Sequence, residues 1–261
     1  MTPPRLRPFR PIRKAVKRWR HRIAIQLGLA PRPADRGYMI CCAQRSGSTY
    51  LCEILASTGN LGNPLEYFNT PARRRSEPGY PKNRWAQFDI VRTRGATRNG
   101  IYGVKTLANQ LERVSLQADP LRELPNLKLI RLTRSNIINR AVSLARAVDT
   151  GQYDSSMKSR KEAVYSTALI RRCLESLLRQ EAVWDRTLGA IAETCLTVDY
   201  EEILADPQAV TDRISAYLGV SAARVRPDLI TLEMMRNKTS AEWGRRFLSE
   251  TGDEFRHLAD A

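Results

Sequence analysis

Residues Tyr38 to Leu55 read Y-M-I-C-C-A-Q-R-S-G-S-T-Y-L-C-E-I-L, a short apolar run, a polar loop and then an amphipathic segment. That order is strand, loop, helix. A loop of this kind at a helix start presents unpaired backbone N–H groups, hydroxyls and the positive end of the helix dipole, and an anion is its natural occupant. Gly47 permits close backbone approach, Arg45 adds a fixed positive charge, and Ser48 or Thr49 can cap the helix or donate to an oxyanion. The G-x-x-x-x-G-K-[ST] spacing is absent and no lysine precedes Ser48 or Thr49, so a Mg-nucleotide triphosphatase fits poorly. Taken alone, the same loop also reads as an ordinary turn with a helix cap.

The pattern repeats downstream. After a helix over Thr49 to Thr58 closed by Gly59, Ile101 to Val104 reads as a short buried strand and Asn109 to Gln117 as a helix. Leu127 to Thr133 (L-K-L-I-R-L-T) is a clear strand, followed by a helix from Ile137 to Val148 that Ser135 or Asn136 caps and Gly151 ends. Ser159 to Ala192 should hold the longest helical region, Cys195 to Val198 a strand, and Asp206-Pro207 opens a helix running to Leu218. Asn69 to Asn99 reads as irregular and basic, and Arg236 to the end as a polar surface wrap. Alternating strand and helix predicts an α/β domain of three layers, a parallel central sheet flanked by helices, with its ligand at the carboxyl ends of the strands.

Charge is unevenly placed. Of the formal +16, residues 1–36 hold 11 Lys/Arg against one acid, Asp35. This Pro/Arg-rich extension, set apart from a domain over 37–261, contains a stretch from Ile12 to Leu29 that places Val16, Trp19, Ile23 and Leu27 on one helical face. Contact with an anionic membrane surface is its functional reading, a surface-packed or disordered tail the plain one. No run of 18 apolar residues exists in the sequence. Cys41, Cys42, Cys52, Cys173 and Cys195 lie in apolar patterns without C-x-x-C spacing, as expected of reduced thiols in a cytoplasmic protein. With His21 and His257 as the only histidines, a zinc site or a His-based triad is not expected.

Whole stretches carry a more specific signal. A-Q-R-S-G-S-T-Y-L, N-P-L-E-Y-F (63–68), G-V-K-T-L (103–107) and R-L-T-R-S-N-I-I-N-R-A-V-S (131–143) follow one another as in bacterial sulfotransferases. Over roughly Tyr38 to Phe247 the chain resembles the Stf0-type sulfotransferase family, which includes trehalose, lipopolysaccharide and nodulation-factor sulfotransferases. The resemblance implies a P-loop-like sulfotransferase fold and transfer of a sulfuryl group from 3'-phosphoadenosine 5'-phosphosulfate (PAPS) to a hydroxyl of a carbohydrate or glycolipid. It also implies a homodimer.

Residue by residue, the resemblance gives Gln44, Arg45, Ser46, Gly47, Ser48 and Thr49 the 5'-phosphosulfate loop, Arg134 and Ser143 the 3'-phosphate, and Lys238 and Ser240 a closing segment near the nucleotide. Lys105 is placed to stabilise the leaving group. Glu66 matches the family's glutamate base, and its apolar neighbours Leu65, Tyr67 and Phe68 predict a raised pKa. No metal is required, since Arg and Lys supply the charge. The segment between Phe68 and Ile101 is shorter and more basic than in trehalose-acting members, which favours a lipid-linked or anionic saccharide over trehalose. Two other classes are open to the residues alone, a nucleotide kinase and a basic nucleic-acid-binding protein, the latter without any nucleic-acid motif.

Overall fold

The computed structural model describes residues 32–153, 157, 159–191, 195–221, 223–232 and 238–258. Four parallel strands form its sheet, β1 (Arg36–Cys42), β2 (Ile101–Leu107), β3 (Leu127–Thr133) and β4 (Leu196–Asp199), in the order β2-β1-β3-β4. The helices are α1 (Ser48–Ser57), α2 (Thr70–Ser76), α3 (Arg84–Arg94), α4 (Ala108–Ser115), α5 (Pro120–Glu123), α6 (Ile137–Thr150), α7 (Thr167–Gly189), α8 (Tyr200–Ala205), α9 (Pro207–Leu218) and α10 (Lys238–Thr251). Residues Ala34–Ala261 form one compact unit. The basic helix expected over Ile12 to Leu29 lies outside the described residues.

β1 is the central element because its side chains are buried on both faces, which is why its sequence is an unbroken apolar run rather than an alternation. Tyr38, Ile40 and Cys42 point into a core with Leu51, Ile54 and Leu55 of α1 and Val210, Ile214 and Leu218 of α9. Met39 and Cys41 point the other way, toward Val91 of α3, Leu111 and Val114 of α4, and Trp184 of α7. Helices thus cover both faces of the sheet, giving the three layers expected. The indole N–H of the fully buried Trp184 donates to the Cys42 carbonyl at 2.9 Å, fixing α7 against the carboxyl end of β1. All five cysteines are free thiols, and burial pushes that of Cys52 up to about 12.

Two stretches differ from expectation. Asn69 to Asn99 holds two helices, α2 and α3, each capped by an asparagine, Asn69 accepting from the Ala72 N–H and Asn83 from the Ala86 N–H. Their arginines hid the periodicity: α3 buries only Gln87, Phe88 and Val91. The C-terminal stretch is not a polar wrap either. It contains α10, whose Phe247 is fully buried against α6 and α7 in a third core with Ile138, Leu144, Leu174 and Leu177, and stacks on Phe255. Trp243, Phe247 and Leu248 among arginines, acids and hydroxyls make too short a helix face to be read from sequence. In the long helical region, the helix itself begins only at Thr167.

Because Phe247 closes that third core, Phe247→Ala should cost about 3–5 kcal/mol of unfolding free energy in urea. A loss below about 1 kcal/mol would mean that α10 contributes no packing there.

Candidate active site

The four strands end at one level, and each end supplies a piece of the same site. β1 runs into the loop 43–47, Lys105 lies two residues before the end of β2, Arg134 directly follows β3, and Tyr200 directly follows β4. The chain leaves β1 toward β2 on one side and returns to β3 on the other, so the β1 loop lies at the point where strand order reverses, the usual ligand position in an open parallel sheet.

The loop is held in a left-handed conformation that Gly47 takes freely and Arg45 disfavours. Arg45 has φ 60° and Gly47 φ 84°, both left-handed. At Gly47 a side chain is excluded twice, since a Cβ would also lie 2.1 Å from the Tyr200 ring. Arg45 is fixed from three directions: Arg134 Nη1 donates to its carbonyl at 3.0 Å, its Nε donates to Ser143 Oγ at 2.9 Å, and its Nη1 reaches the Tyr153 carbonyl. Arg134 in turn lies over the Tyr200 ring, 4.2 Å from the centroid. Beneath the loop, Gln180 accepts from the Gln44 N–H at 3.2 Å, and Arg140 Nη2, paired with Glu181 at 2.6 Å, reaches the Gln44 carbonyl at 3.4 Å. Arg131 shares the same glutamate.

Gly47 caps α1 without a side-chain hydrogen bond, and the first turn contains no acid, so the positive end of the helix is uncompensated. Ser46 is fully buried and, among the described residues, its hydroxyl meets no partner, and Ser48 is buried as well. Thr49 is the exposed hydroxyl of the loop.

Glu66 reaches this loop through Lys105. Leu65 forms an isolated parallel bridge with Val104, its carbonyl accepting the Lys105 N–H at 3.1 Å, and that pairing sets Glu66 beside Lys105. Lys105 Nζ lies 2.8 Å from Glu66 Oε1 and donates to Thr49 Oγ1 at 3.0 Å. Glu66 Oε2 accepts from Asn69 Nδ2 at 2.8 Å and Gln110 Nε2 at 2.7 Å. The raised pKa expected for Glu66 is corrected by these contacts. Burial, the largest influence, does push it up, but the Lys105 charge and the three donors together hold it below the ordinary value. For Lys105, burial works against the cation, yet Glu66 leaves its pKa raised.

Ser143 and Ser240 meet at a cavity of about 550 Å³ lined also by Arg45, Arg146, Lys161 and Trp243. Arg146, on the same face of α6 as Ser143, donates to Ser240 Oγ at 2.8 Å, and its Nε is buried without a partner among the described residues. The side chain of Lys238 lies outside the described residues. The expected site residues therefore form two adjoining groups, a loop–Lys105–Glu66 group and a basic cavity, joined at Arg45. Arg146, Tyr200, Gln180 and Gln110 were not legible as site residues. Each lies inside an amphipathic or polar stretch where nothing in the spacing marks it.

The Stf0 sulphotransferase family model matches residues 37–250. The trehalose 2-sulfotransferase of Mycobacterium tuberculosis is 26% identical over 260 residues, covering 83% of this chain and 96% of that protein. That of Mycolicibacterium smegmatis is 26% identical over 257 residues, covering 80% and 93%. Among solved structures, a sulfotransferase from Alicyclobacillus acidocaldarius superposes with a TM-score of 0.50 at 17% identity, covering 88% of this chain and 97% of its own, a likeness of fold. With the match spanning most of the sequence, from the first strand to the last turn of α10, the chain belongs to the Stf0 sulphotransferase family.

Proposed function

We propose that this protein transfers a sulfuryl group from PAPS to a hydroxyl of a carbohydrate or glycolipid acceptor, with Glu66 as the base. The observation that carries the reading is the unbroken run Thr49–Lys105–Glu66, an anion-binding loop, a buried cation and a carboxylate in mutual contact. In-line transfer needs these three in that order, since the donor's sulfuryl group must lie between the leaving oxygen and the attacking one.

Each residue has a definite task in such a transfer. The bare N-terminus of α1 and Arg45 receive the 5'-phosphosulfate, and Arg134 and Ser143 receive the 3'-phosphate that separates this donor from ATP. A cavity of about 550 Å³ edged by Arg45, Arg146, Lys161 and Trp243 adjoins that loop and includes Ser143, so its basic lining suits an anionic part of such a donor. Glu66 takes the hydroxyl proton as the acceptor oxygen bonds to sulfur. Lys105 stabilises the charge left on the 5'-phosphate oxygen as the sulfur–oxygen bond breaks. In the unliganded protein Lys105 holds Glu66 as a poor base. Drawing Lys105 toward the donor would weaken that hold and strengthen the base only when the donor is present. In this reading the 37–261 domain carries the chemistry, as one half of a homodimer. Residues 1–36 are a basic extension suited to an anionic membrane surface.

Incubation with ³⁵S-labelled donor and saccharide fractions should give labelled product, and a protein that neither transfers the label nor binds adenosine 3',5'-bisphosphate would overturn the proposal. Glu66→Gln keeps the shape and should lower kcat by about 10²–10⁴-fold while leaving donor binding within a few-fold. Near-normal turnover in that variant would remove the base. Arg134→Ala should weaken adenosine 3',5'-bisphosphate binding by about 10–100-fold in calorimetry, the size of a lost charge-assisted hydrogen bond. The pH at which Glu66 titrates, followed by ¹³C NMR of the labelled carboxyl, should rise in Lys105→Met. With the lysine charge gone, the effect of burial is left opposed only by Asn69 and Gln110. An unmoved or lowered titration would show that Lys105 does not govern it.

A further inference from the structure

A set of arginines stands beside Glu66 that the transfer itself does not use. Both side chains that hold Glu66 Oε2 lead to one. Asn69 is followed by Thr70, whose hydroxyl accepts from Arg84 Nη1 at 3.0 Å, and Gln110 lies one turn of α4 before Arg113. Arg73 also approaches from α2, its Nε donating to the Glu66 main-chain carbonyl at 3.4 Å while its guanidinium covers the Tyr67 ring.

Arg84 is held where a cation is unwelcome. Its Nε is buried with no hydrogen-bond partner among the described residues, and its Nη1 bonds are to neutral oxygens, Thr70 Oγ1 and Gln87 Oε1 at 2.8 Å. It occupies the first turn of α3, the positive end of an 11-residue helix, and no acid shares that turn. Burial first, then the nearby charge of Arg113, push its pKa below the ordinary value, although an arginine remains charged. Among the described residues no carboxylate pairs with Arg73, Arg84 or Arg113, whereas Arg94, Arg131, Arg140 and Arg213 all have one. A half-buried guanidinium whose Nε is shut off from water beside a like charge is short of a counter-charge, which a ligand's fixed negative group would supply.

We infer that the acceptor is an anionic saccharide, whose carboxylate, phosphate or sulfate group seats on Arg84 and Arg113 while its reacting hydroxyl meets Glu66. The inference rests on the sulfuryl-transfer reading above and adds the acceptor's charge to it. A guanidinium recognises such a group through paired N–H donors, and a neutral disaccharide leaves those donors unmatched. Discrimination therefore comes from the cost of leaving Arg84 without a counter-charge as much as from the hydrogen bonds formed to the anion. Arg113, exposed on α4 with its Nε donating to the Asn109 carbonyl at 3.0 Å, supplies the second guanidinium.

The full-length protein with adenosine 3',5'-bisphosphate bound would be titrated calorimetrically with trehalose, trehalose 6-phosphate and cellobiouronic acid. At least one charged sugar should bind about tenfold or more tightly than trehalose, and the two charged sugars distinguish phosphate from carboxylate recognition. That preference should fall to about threefold or less in Arg84→Gln and in Arg113→Gln, and return in part in Arg84→Lys, which restores charge without the paired donors. Arg113→Gln alters an exposed residue, so it serves if Arg84→Gln fails to fold. Equal binding of trehalose, no binding of either charged sugar, or a preference unchanged in both glutamine variants would overturn the inference. Failure to bind adenosine 3',5'-bisphosphate would instead overturn the reading beneath it.

Discussion

A strand buried on both faces cannot hold the polar loop that follows it; the loop must be held from outside, and in this protein charge does the holding. Arg140 and Arg131 are almost wholly buried and share Glu181, and Arg140 extends to the Gln44 carbonyl. Buried ion pairs add little net stability, because desolvation consumes most of the Coulomb attraction. Their value is geometric. With Gln180, Arg134 and Tyr200 around it, they keep Arg45 in a left-handed conformation that free non-glycine residues visit rarely. A loop locked in this way meets an anion with its amides already placed, so little ordering remains to be done on binding.

The Glu66–Lys105 pair shows two opposed influences of similar size acting on one carboxyl. Burial alone would make Glu66 a stronger base and would also leave it protonated too readily; the lysine reverses the sign. Neighbouring Lys105 is itself stabilised as a cation chiefly by that carboxylate. Neither group is therefore set by its own surroundings, and a ligand that takes one partner changes the other.

Arginine plays two different parts around this centre. Beneath and beside the β1 loop, Arg131, Arg140 and Arg134 are matched by a glutamate, by main-chain carbonyls or by an aromatic face. On the α2–α3 side, Arg84 has neutral oxygens and a second arginine for company. Matched guanidinium groups build structure, while unmatched ones store a preference for a negative ligand.

What the sequence determined was the sheet and its active edge. Four largely apolar runs, each followed by a helix start, identify a parallel sheet, most clearly in β1, whose burial on both faces leaves no alternation to misread. The loop 44–49 is legible from its place between an apolar run and a helix start, and Lys105, Arg134 and Glu66 only through the resemblance that the stretches around them carry. Helices α2, α3 and α10 were not legible, since α2 fully buries no side chain and the other two hide their few buried ones among charges. Only the tertiary structure decided that Glu66 lies against Lys105, since a single bridge between Leu65 and Val104 sets that contact across 39 positions of chain. It also decided the sign of the Glu66 shift and the isolation of Arg84. Both depend on which charges lie within a few ångströms, and residues far apart in the chain, such as Gln110 and Arg113, supply them only after folding.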